Sequence, residues 1–242
     1  MRQFASIIIC FIIAAPSSAQ DSLQQKILIQ LGYGVQLGRG DFAKRYGSHG
    51  ILEGSLILRL KTLETGPSFQ FLYGSKVKED VLAPLRTPEG DLIGLDHMLA
   101  EVDLRLRGLV MGWKIAKSFP VGNAGGEIAV GIQPSWISHW IRFQNTGNSF
   151  EPIQGIYRYG YDRLSTGWGL QENVSYRYLS KNHLINFEIE AHLIQANTTI
   201  RRNTQFDNPA TGLKKQKDGL MGIVAKWIIP IYTRKNPENI YY

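Results

Sequence analysis

The chain has 242 residues, 43% of them hydrophobic, with 27 basic against 20 acidic side chains and a formal charge of +7. That length suits one domain, and one cysteine excludes a disulfide framework, a thiolate metal site and a repertoire of thiol chemistry. The basic balance by itself admits a nucleic-acid partner, but the N-terminus argues against one: Arg2, an apolar run over 5–15 and the small residues Pro16, Ser17, Ser18 and Ala19 read as a cleaved export signal over 1–19. The run is too short to span a bilayer as a helix. Cys10 lies inside it, so the exported chain 20–242 carries no cysteine, and the charge falls to +6 without Arg2.

Eight segments then alternate apolar and polar residues with period two: 26–35, 51–60, 68–74, 99–116, 126–136, 167–179, 184–196 and 219–232. In the first, Ile27, Ile29, Leu31, Tyr33 and Val35 share one face, opposite Lys26, Leu28, Gln30, Gly32 and Gly34. The second sets Leu52, Leu56, Leu58 and Leu60 against Glu53, Ser55 and Arg59. In the fourth, Val102, Leu104 and Leu106 alternate with Glu101, Asp103, Arg105 and Arg107; after Gly108 the apolar set shifts to Leu109, Met111, Trp113 and Ile115. With no turn dipeptide there, the shift predicts a β-bulge at Gly108. The sixth sets Trp168, Leu170, Val174, Tyr176 and Tyr178 against Gln171, Asn173, Ser175 and Arg177. Glu172 falls on the apolar side, which places it near an interface or marks a register slip. The seventh sets Ile185, Phe187, Ile189 and Leu193 against Glu188, Glu190 and His192, and the last puts Met221, Ile223, Ala225, Trp227, Ile229 and Ile231 together.

The connections between these segments run long, short, long, short, long, short, long. This is the rhythm of an eight-stranded antiparallel up-and-down transmembrane β-barrel with short periplasmic turns and long extracellular loops. Both chain ends then lie at the short-turn side, and 233–242 forms a periplasmic tail. Tyr33, Tyr73, Trp113, Trp136, Trp140, Tyr176, Tyr178, Trp227 and Tyr232 stand near segment ends, as interfacial girdles require.

The polar face carries Lys26, Arg59, Arg105, Arg107, Lys114, Arg177 and Lys226 against Glu53, Glu101, Asp103, Glu127, Glu188 and Glu190, with His192 among them. An eight-stranded barrel is only wide enough for side chains to fill it. Charges enclosed there must pair, which predicts a plugged lumen rather than a pore.

Three stretches carry a family likeness: KILIQLGYGVQLG in the opening strand behind Gln20, YGYDRLSTGWGLQ at 159–171, and the closing GLMGIVAKWIIPIYTRKNPENIYY. On these the chain resembles the small outer-membrane β-barrels typical of Bacteroidota, the OmpA-like and PorT-like group. The resemblance implies insertion by the barrel-assembly machinery and, for some PorT-like members, service in type IX protein secretion. The final strand stops short of the last residue, unlike many proteobacterial barrels.

Site chemistry is sparse. Gly32, Gly34, Gly38 and Gly40 precede a stretch over 41–46 that reads as polar and turn-like where a phosphate cradle needs a helix, and no cofactor or metal is called for. Ser135, Ser138 and His139 leave open a lipid hydrolase at the barrel rim, without an identifiable acid partner. A soluble barrel for a small apolar ligand is the other alternative; it requires the apolar parity to face inward. The last long loop is basic through Arg201, Arg202, Lys214, Lys215 and Lys217, a candidate contact for lipopolysaccharide phosphates or an acidic protein. The expected role is a non-enzymatic outer-membrane structural or interaction component, an accessory subunit of an envelope secretion or assembly complex.

Overall fold

The structure, a computed structural model, describes residues 26–95, 97–122, 125–148, 150–180, 186–202, 205–207 and 215–232. The expected export signal over 1–19 and the expected tail 233–242 lie outside the described residues. Eight strands form the ring: β1 (Lys26–Arg39), β2 (His49–Leu60), β3 (Leu63–Gly74), β6 (Val102–Val121), β7 (Gly126–Asn145), β8 (Ser165–Leu179), β9 (Asn186–Ile200) and β10 (Lys215–Tyr232). A two-stranded hairpin, β4 (Leu92–Ile93) and β5 (Leu99–Ala100), sits in one long loop, and a six-residue helix, α1 (Gly40–Arg45), in another.

Each barrel strand pairs antiparallel with its neighbours in the chain, and β1 closes on β10 from Lys26 opposite Tyr232 to Arg39 opposite Gly219. Closure leaves no strand edge, the condition for a sheet to stand in hydrocarbon. Paired residues traced once round the ring (Leu37, Met221, Leu193, Glu172, Ile132, Ile115, Thr65, Leu58) return to β1 at Ile27, ten residues from the start. With eight strands, that offset corresponds to a strand tilt of roughly 40° and a bore that side chains can fill.

The two faces of the wall are chemically opposite. Leu31, Ile223 and Trp227 are 53–58% exposed, and Trp168 is 70% exposed, whereas Arg177 and Lys226 are enclosed at 0–2%. A contiguous apolar belt of this kind outside an ionic interior is what a bilayer solvent selects and water does not. The soluble ligand-binding barrel is thereby corrected: the apolar parity faces outward.

Four sequence expectations are corrected by the register. No bulge occurs at Gly108, which pairs with Leu72 on one side and His139 on the other in ladders whose register is the same before and after it. The apolar set shifts there because the surroundings change. Beyond the belt, Leu104 and Leu106 line the inside while Asp103, Arg105 and Arg107 face out. β3 begins at Leu63, not 68, so the β2–β3 link is only Lys61 and Thr62; Gly66 and Pro67, which suggest a turn, lie within the strand, where the ladder to β2 lapses locally. Glu172 is neither near a strand end nor slipped: it faces outward at the middle of β8, between Ile132 and Leu193. Tyr33 and Trp113 stand midway along their strands, not at a rim.

Lys61 holds φ +56° in the two-residue turn, a left-handed backbone that costs an L-residue on the order of 1 kcal/mol. Lys61→Gly should raise the stability of the detergent-folded barrel by about that amount, and Lys61→Val should lower it. The shift of the urea unfolding midpoint checks both.

Candidate functional site

Inward positions of seven strands converge on one ionic network. Lys226 on β10 bonds Glu53 of β2 and, at 2.8 Å, Glu190 of β9. Lys114 of β6 reaches the same Glu190 at 2.5 Å and stands 3.6 Å from Glu188. Arg177 of β8 bonds Glu188 through Nε at 2.7 Å and grips Glu64 of β3 with both terminal nitrogens. Toward the short-turn mouth, Arg59 forms a bidentate pair with Glu127, 2.7 Å at each end. Lys26 stands in register with Arg59 at that rim. Carboxamides extend the network: Gln30 donates to Glu188 at 3.0 Å and Gln70 donates to Glu53 at 3.1 Å. His192 meets Gln36 at 2.7 Å and lies 3.8 Å from Glu190. Beside these charges, Leu28, Ile57 and Ile228 fill the remaining space.

The long-loop third of the lumen is packed differently. Ile51, Leu72, Leu106, Val110, Ile137, Ile141 and Leu220 form an apolar core under α1, which pushes Phe42 and Tyr46 into the mouth. Within it His139 bonds Asp218 at 3.0 Å, and Asp218 also accepts from Thr198. Arg45 of α1 bonds Gln216, donates to Ser165 at 3.1 Å and lies 3.9 Å from Asp218. The helix is thus latched to the wall by charge as well as packing.

Thus Glu53, Arg59, Lys114, Glu127, Arg177, Glu188, Glu190, His192 and Lys226 gather inside. Glu101, Asp103, Arg105 and Arg107 do not: Glu101 and Asp103 are exposed, and both arginines lie on the outer face. Sequence reasoning misses Glu64, which falls in the 61–67 link between the second and third alternating segments, and Asp218, which directly precedes the last segment. The inward parity of Glu64 relative to Ser68 and Gln70 was a usable signal for the first.

The acid partner of His139 is Asp218, but the serines do not complete a hydrolytic set. Ser135 is bound to Gln133, its hydroxyl donating to the Gln133 carbonyl at 3.1 Å, and Ser138 occupies the opposite parity. Among the described residues no hydroxyl is hydrogen-bonded to His139, and none form a group of three or more metal-ligating side chains. Of the basic loop set, Lys215 and Lys217 belong to β10 and point outward, Arg201 is exposed, and Lys214 lies outside the described residues. Arg202 is engaged: it donates to Asp162 at 2.9 Å and covers the Tyr159 ring at 4.3 Å. In the adjoining loop, burial opposes the charge on Arg163, but hydrogen bonds to Asp207 and Glu79 outweigh it and hold the guanidinium ionised.

No known family model matches the chain, and no curated protein sequence does. Solved barrels are similar in shape. Neisserial surface protein A aligns over 83% of this chain and 96% of its own at 11% identity, TM-score 0.44. OprG from Pseudomonas aeruginosa aligns over 88% and 97% at 13% identity, TM-score 0.44. Ail of Yersinia pestis aligns over 85% and 99% at 10% identity, TM-score 0.41.

Removing one partner from an enclosed ion cluster strands the rest, at a cost of about 3–5 kcal/mol. Lys226→Met should destabilise by that order, and Lys226→Met with Glu53→Gln by less than the sum of the singles. A double-mutant cycle in urea reads the coupling.

Proposed function

We propose that this chain is a non-conducting outer-membrane barrel serving as a structural and interaction component, exported by its N-terminal signal. The filled lumen carries this reading. Ionic pairs occupy its middle and α1 its mouth, so the bore offers solutes no water-lined path, and the working surfaces are the exterior and the long loops. With the short turns at the periplasmic side, those loops face outward, together with Arg201, Arg202, Lys215 and Lys217. They are suited to outer-membrane lipid, lipopolysaccharide phosphates or an acidic protein. The resemblance to the OmpA-like and PorT-like barrels of Bacteroidota supports the finer reading of an accessory subunit in an envelope secretion or assembly complex, type IX-like.

Two measurements test it. In planar bilayers the refolded protein should give no stable stepwise conductance; a reproducible channel overturns the plugged reading. Cross-linking in native membranes followed by mild-detergent purification should recover a defined envelope partner in constant ratio; a chain recovered alone removes the subunit reading.

A further inference from the structure

We propose that the outer face of β6 and β7, at the long-loop edge of the apolar belt, binds the headgroup of a phosphorylated lipid through Arg105, Arg107 and Arg142. The first observation is a like-charge pair: Arg105 and Arg142 are direct partners across the β6–β7 ladder, on the same outward face. Like charges so placed repel, and an anion bound between them removes that cost. Arg107 follows one alternation nearer the belt, in register between Tyr73 and Trp140. Its Nη1 donates to the Leu106 carbonyl at 2.7 Å. Arg105 has Asp103 at 3.0 Å, both partly in solvent. Among the described residues no carboxylate forms a salt bridge with Arg107 or Arg142.

The second observation is the space beside them. A cavity of about 370 Å³ lies on the β3 side of β6, with Tyr33 and Val35, more than half exposed on the belt, at its apolar end and Lys76, Arg105 and Arg107 at its basic end; Arg142 stands across β6 from it, outside the lining. A free anion would use only the basic end. A lipid uses both, with an acyl chain against the belt and a phosphate at its edge, where guanidinium forks meet phosphate oxygens in pairs. The occupant is therefore a lipid of the surrounding leaflet bearing phosphate on its headgroup.

The inference rests on the reading that this belt sits in the outer membrane with the long loops outward, and its test separates the two. The wild-type barrel and the variant Arg105→Gln, Arg107→Gln, Arg142→Gln, each shown folded by heat-modifiable migration, are titrated in neutral detergent. The probes are diphosphoryl lipid A, the same lipid freed of both phosphates, and inorganic phosphate, with bound lipid read by native mass spectrometry. The wild type should retain diphosphoryl lipid A, and the triple variant should bind it at least about tenfold more weakly, the scale of one lost charge-assisted hydrogen bond. The dephosphorylated lipid should bind both proteins at the variant's level, and inorganic phosphate should not compete at equal concentration. Equal retention by the variant, equal binding of the dephosphorylated lipid, or displacement by equimolar phosphate each overturns the proposal. Should the triple variant not fold, Arg107→Gln and Arg142→Lys are measured singly and must each weaken retention. Detergent titration does not depend on orientation in the cell; protease shaving of the long loops on intact cells reports that separately.

Discussion

An ion taken out of water must find its counter-ion within the same small space, and eight strands leave very little space. This constraint organises the barrel. Five carboxylates (Glu53, Glu64, Glu127, Glu188 and Glu190) face four cations (Arg59, Lys114, Arg177 and Lys226) across the bore, with His192 beside Glu190. Their partners come from strands that are not neighbours in the ring: Arg177 of β8 reaches Glu64 of β3 past two strands, and Lys226 of β10 reaches Glu53 of β2 past β1. A shift of any strand by one residue would turn its ion into hydrocarbon and strand a partner inside. The network therefore specifies register, a role distinct from net stability, which buried ion pairs supply weakly.

How much of this could be read in the sequence follows from the same physics. Where the outside is hydrocarbon and the inside is ionic, alternation is unambiguous, and Ile223, Ala225, Trp227 and Ile229 against Val224, Lys226 and Ile228 place β10 correctly. The reading fails where one side changes solvent. Above the belt the outside of β6 becomes water while the inside becomes an apolar core, so Leu104, Leu106 and Arg105 exchange their apparent roles although the strand runs on without interruption. The inversion at Gly108 thus marks the edge of the belt, and it imitates a bulge because period-two patterns report the contrast between faces, not which face is which.

The same reasoning explains why α1 and its latch could not be anticipated. Phe42, Arg45 and Tyr46 lie in a loop without periodicity, and their partners Gln216 and Asp218 come from the far end of the chain. Only closure of β1 on β10 brings those ends together, since Gly40 bridges Asp218 just beyond the last ladder pair. Pairs so distant in sequence leave no local signature. Glu64 is a different case, a residue with the right parity hidden by a proline that usually ends strands; a closed ring tolerates Pro67 because its other neighbour, β6, keeps its ladder there.

Because interior volume is consumed by pairing and packing, chemistry that reaches other molecules must be displayed on the outside. There the rule of matched charge is relaxed unevenly. Glu172 stands among Leu170, Val174, Ile132 and Leu193 at mid-belt, where a carboxylate costs less than a lysine or arginine would but is not neutral. Its half-buried position shows that the neighbouring side chains screen part of it from lipid. Arg105 and Arg142 face each other one step beyond the belt. In a wall that pairs its inner charges between non-neighbouring strands, the charges left opposed to their own kind on the outer face are where the proposed lipid headgroup would complete the set.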